Sequence, residues 1–188
     1  MDFAVIDIET TYDNRLLSVG VIISNDMDFE PKSMYYYILN EGVPAPYGDV
    51  VRHPRLKNYP EIKTQILSEE KFHKEIIEIM EGYQINRVLA YNAGFDRARL
   101  PSLQGKDWSD IISKSAYKQS NPTLTEDMDF FKTGKLRKGY GVEPIYRLLS
   151  GKHNYMETHN AILDCIDELK IVQLLGYKIS EYTTMKIR

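Results

Sequence analysis

Near the start of the chain an apolar run is broken at two places. In "FAVIDIETT", residues 3–11, Phe3, Ala4, Val5, Ile6 and Ile8 read as a strand buried on both faces, of the kind that lies centrally in a sheet flanked by helices. Asp7 and Glu9 sit inside it, two residues apart. Side chains alternate along a strand, so both carboxylates leave the same face. Like charges crowded at the end of a buried strand repel each other and lose solvation. The pattern calls for something that neutralises them.

Further along, "RLLSVGVIIS" (15–24) and "MYYYIL" (34–39), joined by the turn-like "NDMDFEPKS", extend the first strand into an antiparallel meander. Tyr35, Tyr36 and Tyr37 read as strand packing. Residues 40–67 are rich in Pro and Gly and predict a long irregular excursion. Ser68 then caps a helix with Phe72, Ile76, Ile79, Met80 and Tyr83 on one stripe. "NRVLAY" (86–91) reads as a strand, followed by a short helix around Phe95 to Leu100 that Pro101 ends. "WSDII" (108–112) predicts a fifth strand, and residues 113–140 are polar without a clear period. Pro144 fits the first turn of a helix that Gly151 closes. A last helix spans about Asn160 to Leu175, with Ile162, Ile166, Leu169 and Val172 inward and Gly176 as its stop. Three antiparallel strands followed by alternating helices and parallel strands make one mixed α/β domain over residues 1–188.

Composition narrows the class. The 188 residues are 43% hydrophobic and 27% charged, ordinary for one globular domain with a sizeable core. No apolar run approaches the roughly 18 residues of a membrane helix, so no membrane partner is expected. The opening Met1-Asp2 lacks the basic region of a signal peptide, and a cytoplasmic location is the expectation. Cys165 is the single cysteine, which rules out an internal disulfide and a thiolate-rich metal site; it reads as a small buried side chain. His53, His73 and His153 have no motif around them and read as surface residues. The net charge of −3 neither announces nor forbids a nucleic-acid partner.

Two further places bring carboxylates toward the end of the first strand. In "LAYNAGFDRARL", Asp96 follows a strand and enters the first turn of a helix, where an anion is stabilised. In "ETHNAILDCIDEL", Asp164 lies one turn inside the last helix, beside its apolar stripe, and His159 just before it. Arg97 or Arg99 could pair with Asp7 and Glu9, but four carboxylates at one sheet edge require cations. Hard oxygen ligands select Mg²⁺ or Mn²⁺ over zinc. Two such ions about 3.5–4 Å apart form the clamp that hydrolyses phosphodiesters.

The set "DIETT", "NAGFD" and "HNAILD" resembles the three motifs of the DEDDh 3′–5′ exonucleases, the group that includes the proofreading subunit of bacterial DNA polymerase III, within the ribonuclease H-like superfamily. The resemblance spans roughly residues 3–175; each motif alone is weak, and together in order they are strong. It implies a five-stranded sheet, three strands antiparallel, with helices around it. It implies Asp7, Glu9, Asp96 and Asp164 as ligands of two divalent cations and His159 as general base. Asn160, four before Asp164, is not the Tyr of the related DEDDy branch, and His159 lies five before, as the His branch requires. Thr10 and Thr11 would lie near the terminal sugar, Phe95 under or beside the terminal nucleotide, and Asn92 would orient the loop or the substrate. The implied substrate is nucleic acid with a free 3′ end, single-stranded DNA or RNA, with a DNA polymerase as a conceivable partner. Tyr12 stands where many relatives carry Gly, and its bulk is expected to narrow the terminal-nucleotide pocket or stack within it.

Two other readings stand beside this one. A catalytically silent nucleic-acid-binding or polymerase-associated module could use the same fold, although all five catalytic positions are filled. A ribonuclease H or transposase-like endonuclease would share the metals but give no reason for His159 or for N-x-x-F-D. The loop "KTGKLRKGYG" gathers Lys132, Lys135, Arg137 and Lys138 beside Tyr140. It reads either as a solvated loop or as a track for a single-stranded backbone.

Overall fold

The computed structural model describes residues 1–39 and 47–185. β1 (Asp2–Thr10), β2 (Leu16–Asn25) and β3 (Pro31–Leu39) form the expected antiparallel meander. β5 (Arg87–Ala90) joins the far side of β1 in parallel, and β6 (Asp107–Asp110) joins β5 in parallel. With β4 (Lys63–Leu67) at one edge, the strand order is β4-β3-β2-β1-β5-β6, which leaves β1 central. The protein thus has a mixed α/β sheet flanked by helices, the architecture expected from the sequence.

Among the described residues the sheet has six strands rather than five. The addition, β4 (Lys63–Leu67), lies in the stretch expected to be irregular and runs parallel to β3, with Tyr35 opposite Lys63 and Leu39 opposite Leu67. It is an edge strand with Lys63, Thr64 and Ile66 exposed, so it carries no apolar alternation to read. Residues 40–46 of the same stretch lie outside the described residues. "WSDII" also ends early as a strand. The Asp110 carboxylate accepts the N–H groups of Asn92 at 3.0 Å and Ile112 at 2.9 Å, which turns the chain into the short helix α4 (Ile112–Ser115).

Alternation along the strands divides the interior in two. Phe3 and Val5 face a core shared with α5 (Val142–Ser150) and α6 (Ala161–Leu175). Ala4, Ile6 and Ile8 face the other core, with α2 (Glu69–Gly82) and α3 (Ala93–Arg99). Phe72, Ile76 and Met80 of α2 are buried as the stripe predicts, and Ser68 Oγ accepts the Lys71 N–H at 3.4 Å as its cap. α6 is buried on nearly every side, charged positions included, while Ile166 is half-buried. Gly151 and Gly176 end α5 and α6 in the left-handed conformation, with φ of 69° and 70°. No helix among the described residues is long and apolar enough to cross a membrane.

Candidate active site

Strand parity decides where Asp7 and Glu9 point. They share the face of Phe3 and Val5, which is the face that α6 covers. Opposite Asp7 in the β1–β2 register stands Gly20. A β-carbon at Gly20 would lie 2.3 Å from the Ala161 carbonyl oxygen, so the first turn of α6 rests directly on bare backbone. That approach carries Asp164, three residues further on, over the carboxylates of β1.

Asp96 arrives over the open edge of β1. The β1–β5 ladder pairs Ala4 with Val88 and Val5 with Leu89. Beyond it, the Ile8 N–H donates to Asp96 Oδ1 at 3.2 Å, and Asp96 is 2% exposed. Asp164, 3% exposed, accepts a hydrogen bond from Thr158 Oγ1 at 2.9 Å. His159 is exposed and left-handed, with φ of 52°, in the loop before α6. One ligand atom each from Glu9, His159 and Asp164 lies within 4.8 Å of the others. The next residue, Asn160, holds the start of α6: Oδ1 accepts the Leu163 N–H at 3.3 Å, and Nδ2 donates to Tyr36 Oη at 2.9 Å and the Val50 carbonyl at 2.7 Å.

The electrostatics follow from this crowding. Burial, then the charges of Glu168, Asp96, Asp164 and Glu9, push the Asp7 carboxyl well above the ordinary carboxylate range. Burial and then Asp164 push Glu9 up to about 7, against the pull of His159. Asp96 is pushed to about 7 by burial, although its own and the Ile8 backbone amides favour its charge. Asp164 is pushed to about 7 by burial and then by Glu157. Asp7 Oδ2 is buried without a hydrogen-bond partner. Among the described residues no ion pair reaches any of the four. Arg99 lies elsewhere, 3.6 Å over the Phe95 ring and 3.2 Å from Asn14 Oδ1. Cys165 Sγ is directed to the Val5 carbonyl at 3.7 Å. Hard oxygen donors thus gather at this end of β1, among them an orphaned carboxylate oxygen, and such donors suit a divalent cation.

The residues expected at the substrate end lie on the segments that carry these carboxylates, Thr10 and Thr11 after Glu9, and Asn92 and Phe95 before Asp96. Thr10 follows a register shift between Glu9 and Thr10 at the end of β1. Thr11 is buried and holds the turn: its hydroxyl bonds the Asp13 carboxylate and accepts the Arg15 N–H at 3.1 Å. Tyr12 is 92% exposed, with its ring 5.5 Å from that of Tyr47. Phe95 is 37% exposed under Arg99. Asn92 precedes α3 at φ 63° and leaves the helix uncapped by its side chain. Beside it, a cleft of about 350 Å³ is lined by Tyr91, Asp110, Lys135 and Tyr140, with Lys135 Nζ 4.4 Å above the Tyr140 ring. The three other histidines lie apart: His53 caps a 3₁₀ turn by accepting the Arg55 N–H at 3.2 Å, His73 Nδ1 is 2.9 Å from Ser102 Oγ, and His153 is exposed.

Three participants escaped the sequence reading. Asn160 and Thr158 position α6 and Asp164. Glu168, on the same helix, is 1% exposed and is the neighbour acting most strongly on Asp7. Its signal was its place four residues after Asp164, one helical turn along.

Solved 3′-exonucleases share this fold. One structure, described as "3′-end specific recognition of histone mRNA stem-loop by 3′-exonuclease", matches with a TM-score of 0.60 at 12% identity, over 93% of this chain and 63% of that one. This chain therefore spans less than two thirds of that protein. The crystal structure of a full-length 3′-exonuclease matches with a TM-score of 0.54 at 10% identity, over 91% of this chain and 79% of that one. At such identities the likeness is one of fold. No protein-family model and no curated protein matches the sequence.

Proposed function

We propose that this chain is a metal-dependent 3′–5′ exonuclease, one domain over residues 1–188, that releases nucleoside 5′-monophosphates from nucleic acid with a free 3′ end. The observation that carries the reading is that Asp7, Glu9, Asp96 and Asp164 lie close enough to raise one another's affinity for protons, with no ion pair to any of them among the described residues and Asp7 Oδ2 buried and unpartnered. These four would hold two divalent cations, Mg²⁺ or Mn²⁺. Ions held there would supply Lewis acidity, making a water more acidic and offsetting the charge that develops on the leaving 3′-oxygen.

The chain's own residues supply the rest. His159 accepts the proton of the attacking water, as a neutral imidazole can. In a continuous helix, residues five apart point about 140° away from each other. The left-handed loop position frees His159 from that constraint and brings it within 4.8 Å of Asp164 and Glu9. Thr10 and the turn that Thr11 holds face the terminal sugar, Phe95 supports the terminal nucleotide, and Asn92 fixes the loop between them. Lys135 and Tyr140 offer the incoming single strand, DNA or RNA, a cation and an aromatic face. A DNA polymerase partner and a cytoplasmic location rest on the sequence alone.

The test is direct. Protein stripped by a chelator should release no mononucleotide from a 3′-labelled strand, and Mg²⁺ or Mn²⁺ should restore release. Full activity after exhaustive chelation overturns the mechanism, and nicking of a closed circle favours an endonuclease.

A further inference from the structure

We infer that Glu168 is a fifth carboxylate of the proposed metal centre, a divalent-cation ligand beside Asp7, and not a charge of the helix surface. The inference rests on the metal-dependent reading above and adds to it a residue outside all three motifs.

The helix brings it there. Glu168 lies one turn beyond Asp164 and so on the same face of α6, the helix that Gly20 lets down onto β2 opposite Asp7. At 1% exposure it has no access to solvating water. A carboxylate buried so far stays charged only beside a paired cation or a metal, and otherwise holds its proton. Among the described residues no ion pair reaches Glu168. Burial and then the charges of Asp96 and Asp164 push its carboxyl well above the ordinary range, against the pull of the Tyr91 backbone amide, and Oε2 is buried with no hydrogen-bond partner. Asp7 Oδ2 is in the same condition. Asp167, its neighbour in sequence, shows the contrast. It is also buried, but its Oδ2 accepts the Tyr155 hydroxyl at 2.6 Å and lies 3.8 Å from Arg55. The chain thus satisfies one buried carboxylate of this helix with protein partners and leaves Glu168 with an open oxygen, one helical turn beyond Asp164.

A cation beside Asp7 answers both orphaned oxygens at once. Glu9, His159 and Asp164 gather separately, within 4.8 Å of one another. Glu168 therefore serves the Asp7 side of the centre.

The full chain should be titrated with Mn²⁺ by calorimetry and by the loss of free-ion signal in electron paramagnetic resonance, alongside melting curves with and without the ion. Glu168→Gln keeps the shape and an acceptor for the Tyr91 amide but removes the charge. It should weaken one class of Mn²⁺ site by at least about 10–100-fold, the effect seen even for partners that merely support a ligand, and leave the other class near wild type. The metal-free variant should melt above wild type, because a repelling charge is gone, and gain less on adding Mn²⁺. Glu168→Asp, which keeps the charge and withdraws it by one methylene, should weaken the same class without the rise in metal-free melting temperature. It decides the matter if Glu168→Gln does not fold. Asp167→Asn should leave Mn²⁺ binding unchanged. Wild-type affinity in both Glu168 variants overturns the inference and leaves the exonuclease reading intact. Absence of any Mn²⁺ or Mg²⁺ binding by the wild-type chain overturns both.

Discussion

His159 and Asn92 are among five non-glycine residues with positive φ in the described chain, and both belong to the motifs at the site. A left-handed backbone at a residue other than glycine is sparsely populated and is held in place by its surroundings. For His159 the holder is Asn160, whose side chain is tied to α6, β3 and the segment before Arg52. The strain has a use, since it detaches the imidazole from the helix that fixes Asp164. His159→Ala should therefore lower turnover by about 10²–10⁴-fold, the usual worth of a general base, while Mn²⁺ affinity stays near wild type. The variant should also lose the part of the pH–activity profile that a general base contributes. Unchanged turnover with an unchanged profile refutes the base, and a parallel loss of Mn²⁺ affinity makes His159 a ligand. At this scale the sequence was informative wherever spacing carried chemistry, as for Asp7, Glu9, Asp96, Asp164 and His159. It was silent on Glu168 because helical periodicity cannot mark a carboxylate as buried when apolar residues surround it on every side.

That silence has its cause in α6. A helix that is apolar around its whole circumference is a buried helix, and the stripe expected from Ile162, Ile166, Leu169 and Val172 describes part of it. Its height above the sheet is set at one point, where the Ala161 carbonyl oxygen would stand 2.3 Å from a β-carbon at residue 20. Gly20→Ala must push backbone against backbone. It should destabilise the fold by about 1–3 kcal/mol, the usual range for overpacking, and lift Asp164 and Glu168 away from Asp7. Urea unfolding and Mn²⁺ titration should register both losses together. Gly82→Ala, at the end of α2 with nothing within 4 Å of the added carbon, should change stability by at most about 1 kcal/mol, favourably, and leave metal binding alone. Wild-type stability and affinity in Gly20→Ala would show that α6 does not need the close approach. Glycine in a strand can be read as a sign of such an approach, but not which element approaches. β4 was hidden for a related reason: its pairing with β3 makes it a strand, and pairing leaves no local trace in an exposed edge.

Across the whole molecule the carboxylates act as one charge cluster, and stability in the absence of metal should show it. Glu9, Asp96 and Asp164 titrate at about 7 in the folded chain against 4.5, 3.8 and 3.8 for the free groups, and burial with mutual repulsion raises Asp7 and Glu168 in the same sense. Between about pH 4 and pH 7 the folded chain therefore keeps protons that the unfolded chain has released. Stability is full below that window and declines as pH rises through it. At roughly 1.4 kcal/mol per pH unit, Glu9 alone, moving from 4.5 to about 7, accounts for a loss on the order of 3 kcal/mol. The direction is opposite to that of carboxylates held in salt bridges. Divalent cations compete with the protons, so Mg²⁺ should add little to the melting temperature at pH 5 and most at pH 8, where every carboxylate is available as a ligand. Melting curves from pH 5 to 8, in chelator and in Mg²⁺, measure both slopes. A metal-free melting temperature that stays level or climbs over this range would mean that the cluster is already neutralised by groups of the protein itself. The downward slope, cancelled by the ion, is what a sheet edge built to receive cations should give.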